Sequence, residues 1–221
     1  MRIGIYLTCQ GKFFNAILNY LPLGTEIFYE ENWVMFSENR MPTHEWLDLD
    51  YFIYQPIIEP QKPAYADANI LGNYVSASAK KIRVPYLMFT GLTPWRQYAD
   101  SPQLGTEHRN CWLDKSLAEN DNVERAIGET MLRTGLDISS NAEESFEQLR
   151  KKESECDISG LSQWIQERFR SEHLFWTPNH PRGTLALAFC NKILDAMSIP
   201  SAPPEAAKAL DRVLNVERTP L

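Results

Sequence analysis

The opening stretch of the chain constrains its fold most tightly. Ile3-Gly4-Ile5-Tyr6-Leu7 is a short, β-rich apolar run, the pattern of a buried strand. Phe13, Phe14, Ile17, Leu18 and Leu21 then recur at helical spacing, which predicts a helix over Lys12 to Leu21. Only Thr8-Cys9-Gln10-Gly11 separates the two. A strand that hands over to a helix so quickly places its turn where open α/β sheets bind ligands, outside the carboxyl ends of the strands. Backbone N–H groups at the helix start favour negative charge there. A thiol in that turn is pushed toward thiolate, so Cys9 is a candidate nucleophile. Gln10 sets an amide donor beside it, and Gly11 permits close backbone approach. Cys9 equally fits a packing role, because free cysteine is among the most buried residue types.

The alternation continues. Glu26 to Tyr29 reads as a second strand, and Thr43 to Leu49 as a short helical stretch with Thr43 as N-cap. Tyr51 to Tyr54 reads as a third strand, ended by Gln55-Pro56. Tyr65 to Ala79 reads as a helix, and Arg83 to Phe89 as a fourth strand with Pro85 near its beginning. A loop follows at Thr90-Gly91-Leu92-Thr93-Pro94. Such units predict an α/β fold with a parallel sheet of about four strands and right-handed crossovers. The later chain changes character. Asp100 to Asp114 reads as a polar loop, and Leu117 to Thr134 and Ala142 to Glu172 as long amphipathic helices. Phe175 to Pro181 breaks the pattern with prolines, Thr184 to Met197 is a strongly apolar helix, and Pro203 to Val213 a short final one. The 221 residues therefore read as a single domain, with an α/β part at 1–99 and a mainly helical part at 100–221 packed on it.

A net charge of −7 argues against nucleic-acid binding through a basic surface. No apolar run reaches the ~20 residues that span a bilayer, and Met1-Arg2 leads straight into a strand, so a cytoplasmic location is expected. Cys9, Cys111, Cys156 and Cys190 are far apart and form no CxxC pair, so neither a metal nor a disulfide framework is expected. GxGxxG, Walker A, HExxH and GxSxG patterns are missing.

His180 is the base candidate. It lies in Phe175-Trp176-Thr177-Pro178-Asn179-His180-Pro181, with Pro181 read as the first turn of the next helix. The helix dipole at such a position opposes an imidazolium and keeps the ring neutral and basic. Cysteine with histidine is a nucleophile–base pair; the alternative is a loop residue that caps the helix. His44, His108 and His173 lie in polar contexts and read as structural or solvated. Gln55 shares the sheet edge with Cys9 and is a candidate for binding a carbonyl or oxyanion, or for satisfying its own turn. Thr90 and Gly91 face the same crevice in this reading, Gly91 either admitting a ligand or serving the turn. Lys12, Arg96 and Arg182 are the nearest basic candidates for phosphate groups.

Cys9-Gln10, Tyr54-Gln55-Pro56, Phe89-Thr90-Gly91 with Pro94, and Asn179-His180-Pro181 occur in an order that resembles the WcbI-type polysaccharide biosynthesis family, acetyltransferases of bacterial capsule assembly. The resemblance spans Arg2 to Met197. It implies an acyltransferase with acetyl-coenzyme A as acyl donor and a saccharide as acceptor. Cys9, Gln10 and His180 would be catalytic, with Lys12, Gln55, Thr90, Gly91, Arg96 and Arg182 as the coenzyme A site. Thr8 stands where the family commonly has Asn, and Leu92-Thr93 where it often has an aromatic residue and a His. The N-terminal half also resembles flavodoxin-like and SGNH folds. SGNH hydrolases place a Ser after strand one and an Asp three residues before a late His. Here Thr177 holds the acid's position, which leaves a backbone carbonyl or a distant acid to orient His180. An esterase or thioesterase, and a non-catalytic glycan- or nucleotide-binding module, are the alternative readings.

Overall fold

The computed structural model describes residues 1–38, 44–55, 75–92, 96–101, 105–120 and 122–215. Strands β1 (Arg2–Leu7), β2 (Glu26–Glu31), β3 (Tyr51–Tyr54) and β4 (Lys80–Arg83) form one sheet in the order β2-β1-β3-β4. Every neighbouring pair is parallel. β1 is buried from Ile3 to Leu7, which is why it reads as an unbroken apolar run. The chain leaves β1, adds β2 on one side, then crosses to add β3 on the other. That reversal is a topological switch point, and open α/β sheets bind ligands beyond the carboxyl ends of such strands, here β1 and β3. Cys9 follows the first of these strands and Gln55 the second.

Helix α1 (Gly11–Tyr20) buries Phe13, Phe14, Ile17 and Leu18, and Gly11 sits down on Leu7 and Ile5. A second cluster gathers Tyr6, Phe52 and Tyr54 with Met35, Trp46 and Leu49. Met35 comes from helix α2 (Asn32–Ser37), and Trp46 from a 3-10 turn (His44–Leu47). Trp46 meets Tyr6 and Phe52 edge-on. Thr43, Pro56 and residues 65–74 of the expected helix lie outside the described residues, as do Thr93, Pro94 and Trp95.

The fourth strand is shorter and earlier than Arg83 to Phe89. Its ladder ends where Val84 N–H donates to the Tyr54 carbonyl. Pro85 has no N–H to continue it. Beyond that point side-chain amides take over: Gln55 Nε2 donates to the Pro85 carbonyl and Leu87 N–H donates to Gln10 Oε1.

The chain forms two compact units, Met1–Leu87 with Leu149–Leu221, and Met88–Gln148. In the second unit the described residues of the expected loop at Asp100 to Asp114 are instead strand and helix. β5 (Arg96–Ser101) pairs antiparallel with β6 (Gly105–Asn110), running from Arg96 opposite Asn110 to Ser101 opposite Gly105. Polar residues fill both strands, so the sequence carries no apolar alternation to announce them. Helix α3 (Cys111–Glu119) follows. The two long helices divide differently as well. α4 runs unbroken over Val123–Ser154, with Asn122 Oδ1 accepting Arg125 N–H at its start, and α5 (Leu161–Arg168) is separate. The buried Glu153 carboxylate accepts Leu161 N–H at 2.6 Å and Ser162 N–H at 3.0 Å, so it caps α5. Gly160 takes φ +82° to make the approach.

The C-terminal segment returns to the sheet unit. β7 (Phe175–Thr177) and β8 (His180–Pro181) form a small irregular hairpin around Pro178-Asn179. Helix α6 (Gly183–Ala196) packs with α7 (Ala206–Asn215), and both lie against α1. Asp211 Oδ1 accepts Gly183 N–H at 2.7 Å. A Cβ on Gly183 would stand 2.0 Å from the Ala207 carbonyl oxygen. Gly183→Ala is therefore expected to push α7 off α6 and lower the urea unfolding free energy by about 1–3 kcal/mol, the usual cost of overpacking. An unchanged unfolding midpoint would show that the two helices separate freely.

Candidate active site

Cys9 occupies a tight turn. Gly11 N–H donates to the Thr8 carbonyl at 2.8 Å and Lys12 N–H to the Cys9 carbonyl at 3.2 Å, which starts α1. The thiol is half-buried at the positive end of that helix. Its Sγ lies 3.3 Å from His180 Nε2. Residues far apart in sequence thus meet at the switch point, and the cysteine and histidine sit at nucleophile–base distance.

Pro181 does not open the following helix: it pairs with Phe175, and Arg182 is the N-cap. His180 stands two residues ahead of that cap, and dipole effects fade within the first turn. The ring is held instead by direct bonds. Thr177 Oγ1 lies 2.9 Å from Nδ1, and the same hydroxyl donates to Asn179 Oδ1 at 3.0 Å. In the sequence Thr177 shows only as the residue that stands in an acid's position. Its signal was its place three residues before His180, which the two-residue turn converts into a cross-strand pair.

Gln10 and Gln55 are buried and engaged with each other. Gln10 Nε2 donates to the Leu87 carbonyl at 2.6 Å and the Asn179 carbonyl at 2.8 Å. Its Oε1 accepts from Gln55 Nε2 and Leu87 N–H, both at 3.1 Å. Gln55 Oε1 accepts Thr8 N–H at 2.8 Å, and its Nε2 also donates to the Pro85 carbonyl at 3.2 Å. Both amides spend both of their donors on the protein. These bonds tie the Cys9 turn, the end of β3, residues 85–87 and the His180 hairpin together.

The basic candidates are also committed. Lys12 Nζ pairs with Glu31 at 3.2 Å. Arg182 stacks its guanidinium over Trp176 at 4.3 Å, with Asp211 at 3.9 Å and His173 Nδ1 at 3.4 Å. The Arg96 side chain lies outside the described residues, although its backbone is in β5. Thr90 and Gly91 belong to the second unit. Thr90 N–H donates to Ser145 Oγ and its carbonyl accepts from Asn141 Nδ2. A Cβ on Gly91 would come 2.8 Å from the Ala142 Cα, so packing against α4 explains this glycine.

Burial pushes the Cys156 thiol up to about 12 and that of Cys190, fully enclosed in α6, further in the same direction. Iodoacetamide at about pH 8 is expected to label Cys9 at least about tenfold faster than either, as peptide mass mapping would show. Equal labelling would remove the argument for an activated thiol. Among the described residues no cluster of His, Cys, Asp and Glu could hold a metal ion, and no helix is long and apolar enough to cross a membrane.

A family model described as polysaccharide biosynthesis enzyme WcbI matches residues 2–202. No curated protein matches the chain. A solved structure of WcbI, described as a novel polysaccharide biosynthesis enzyme in its native form without a disulfide bond between coenzyme A and a cysteine, superposes with a TM-score of 0.74. It shares 20% identity, over 90% of this chain and 70% of that one. At that identity the likeness shows the α/β fold.

Proposed function

The chain belongs to the WcbI family of polysaccharide biosynthesis enzymes, and from that premise we propose that it transfers an acetyl group from acetyl-coenzyme A to a saccharide hydroxyl. The observation that carries this reading is the 3.3 Å approach of Cys9 Sγ to His180 Nε2 at the switch point. His180 Nε2 takes the thiol proton. The Cys9 sulfur attacks the thioester carbonyl, the C–S bond to coenzyme A breaks, and the departing thiolate receives the proton from Nε2. An acetyl-Cys9 remains. His180 then removes the proton of a saccharide hydroxyl, whose oxygen displaces the Cys9 sulfur, and the proton returns to that sulfur.

The positive end of α1 suits a tetrahedral oxyanion formed beside Cys9. The choice of donor is supported by the structural neighbour, which is described as a native protein without a disulfide bond between coenzyme A and a cysteine. Lys12 and Arg182, which pair with Glu31 and Asp211, are the basic candidates for the coenzyme A phosphates in this unit. A donor of this kind fits a reaction in the cytoplasm.

Calorimetry with coenzyme A and acetyl-coenzyme A, joined to intact mass spectrometry, tests the reading. Binding of both, with an acetyl-sized mass increase mapped to Cys9, is the expected result. Binding with release of acetate and no need for a saccharide would convert the reading to a thioesterase. No binding of either would remove it.

A further inference from the structure

We propose that Thr177, itself fixed by Asn179, is a positioning residue that holds His180 as the Nδ1–H tautomer and so turns a basic Nε2 toward Cys9. The inference rests on Cys9 and His180 being the reacting pair. It follows from counting protons around one hydroxyl. A threonine hydroxyl has a single hydrogen and two lone pairs. The Asn179 Oδ1, 3.0 Å away, can only accept, so the Thr177 hydrogen is directed there. Toward His180 Nδ1, at 2.9 Å, the same oxygen then has only lone pairs to offer. Nδ1 must supply the hydrogen of that bond. In a neutral imidazole the second nitrogen is then bare, and that nitrogen is Nε2, 3.3 Å from the Cys9 sulfur.

The surrounding bonds keep this arrangement in register. Thr177 and His180 face each other across β7 and β8, so the backbone sets their separation. Asn179 between them is anchored through its carbonyl by Gln10 Nε2 at 2.8 Å. One end of the Asn179 residue is therefore tied to the cysteine turn and the other to the hydroxyl behind the histidine. A hydroxyl performs the orienting part that a carboxylate plays in Ser–His–Asp sites. When Nε2 takes the Cys9 proton, the Nδ1–H bond to Thr177 is unchanged, and no second proton needs to move.

Long-range proton–nitrogen NMR on the full chain, with nitrogen-labelled histidine and His180 assigned against a His180→Asn variant, reads the tautomer directly. The expected result is a protonated Nδ1 and an unprotonated Nε2 on His180 in neutral solution. A protonated Nε2 would overturn the proposal. Thr177→Val should mix the tautomers and slow iodoacetamide labelling of Cys9 by about tenfold or more, in the range for a disturbed general base. Thr177→Ser, which keeps the oxygen, should stay within about twofold of the parent rate. Labelling of Thr177→Val at the parent rate, with its circular dichroism unchanged, would also overturn it. Failure of acetyl-Cys9 to form would sink the transfer reading and leave the tautomer standing, so the two failures are distinguishable.

Discussion

Replacing Cys9 with alanine is expected to abolish the acetyl adduct and to cut saccharide acetylation by about a thousandfold or more, the scale seen when a covalent nucleophile is removed. Alanine keeps the backbone of the turn, and the thiol is only half-buried, so the lost sulfur opens no sealed cavity. The Gly11 and Lys12 N–H bonds that build the turn are made by backbone and persist. Coenzyme A affinity should therefore change little, and calorimetry on Cys9→Ala separates binding from chemistry. Cys9→Ser is a sharper probe. It keeps a nucleophilic atom beside His180 but raises the energy of the anion, so it should transfer slowly and still leave an adduct. If Cys9→Ala retained a tenth or more of the parent rate, attack by Cys9 would be refuted. His180 would then act on the saccharide hydroxyl for direct transfer.

Gln10→Leu should be the most damaging change to the scaffold. Gln10 is fully buried and uses all of its hydrogen-bonding capacity, two donors and two acceptors. Leucine fits the volume but leaves the Leu87 N–H and carbonyl, the Asn179 carbonyl and one Gln55 donor without this partner. Each unsatisfied buried group costs about 1–3 kcal/mol, and the penalties overlap, so a loss of about 3–5 kcal/mol is expected in urea unfolding. That is a large share of the 5–15 kcal/mol typical of a folded domain. Labelling of Cys9 should fall as well, because the bond that holds Asn179 also places His180. A loss under about 1 kcal/mol would mean that water replaces the amide, as polar cavities allow. In that case the amide pair would be dispensable for placing the dyad.

How much of this was legible in the sequence depended on whether a feature was local. The β1 to α1 turn was readable because a β-run and a helical period abut with little between them. The meeting of Cys9 with His180 was legible only through the order of short motifs. The end of β4 was not, because side chains of Gln10 and Gln55 replace the ladder there, and no backbone propensity records that. The paired strands at 96–101 and 105–110 are not announced, because polar strands lack the alternation that burial imposes. The unbroken α4 passes through Gly135 and Ser139-Ser140, residues whose propensity disfavours helix interiors and is overridden here. Lys12 and Arg182 were read by charge alone, and the carboxylates that claim them come from elsewhere in the chain. Thr177 was visible as a departure, while the direction of its proton depended on where Asn179 sits.

The contacts that complete the site join residues 171 and 169 positions apart. During synthesis at about 5–20 residues per second, β1 and its turn leave the ribosome many seconds before the histidine exists. A nascent chain therefore carries an unassisted thiol. The Cys9–His180 pair forms only when the late hairpin docks, at the cost of closing a very long loop. On the proposed mechanism, activity would report on completed folding: a chain arrested before β8 would carry Cys9 without its base.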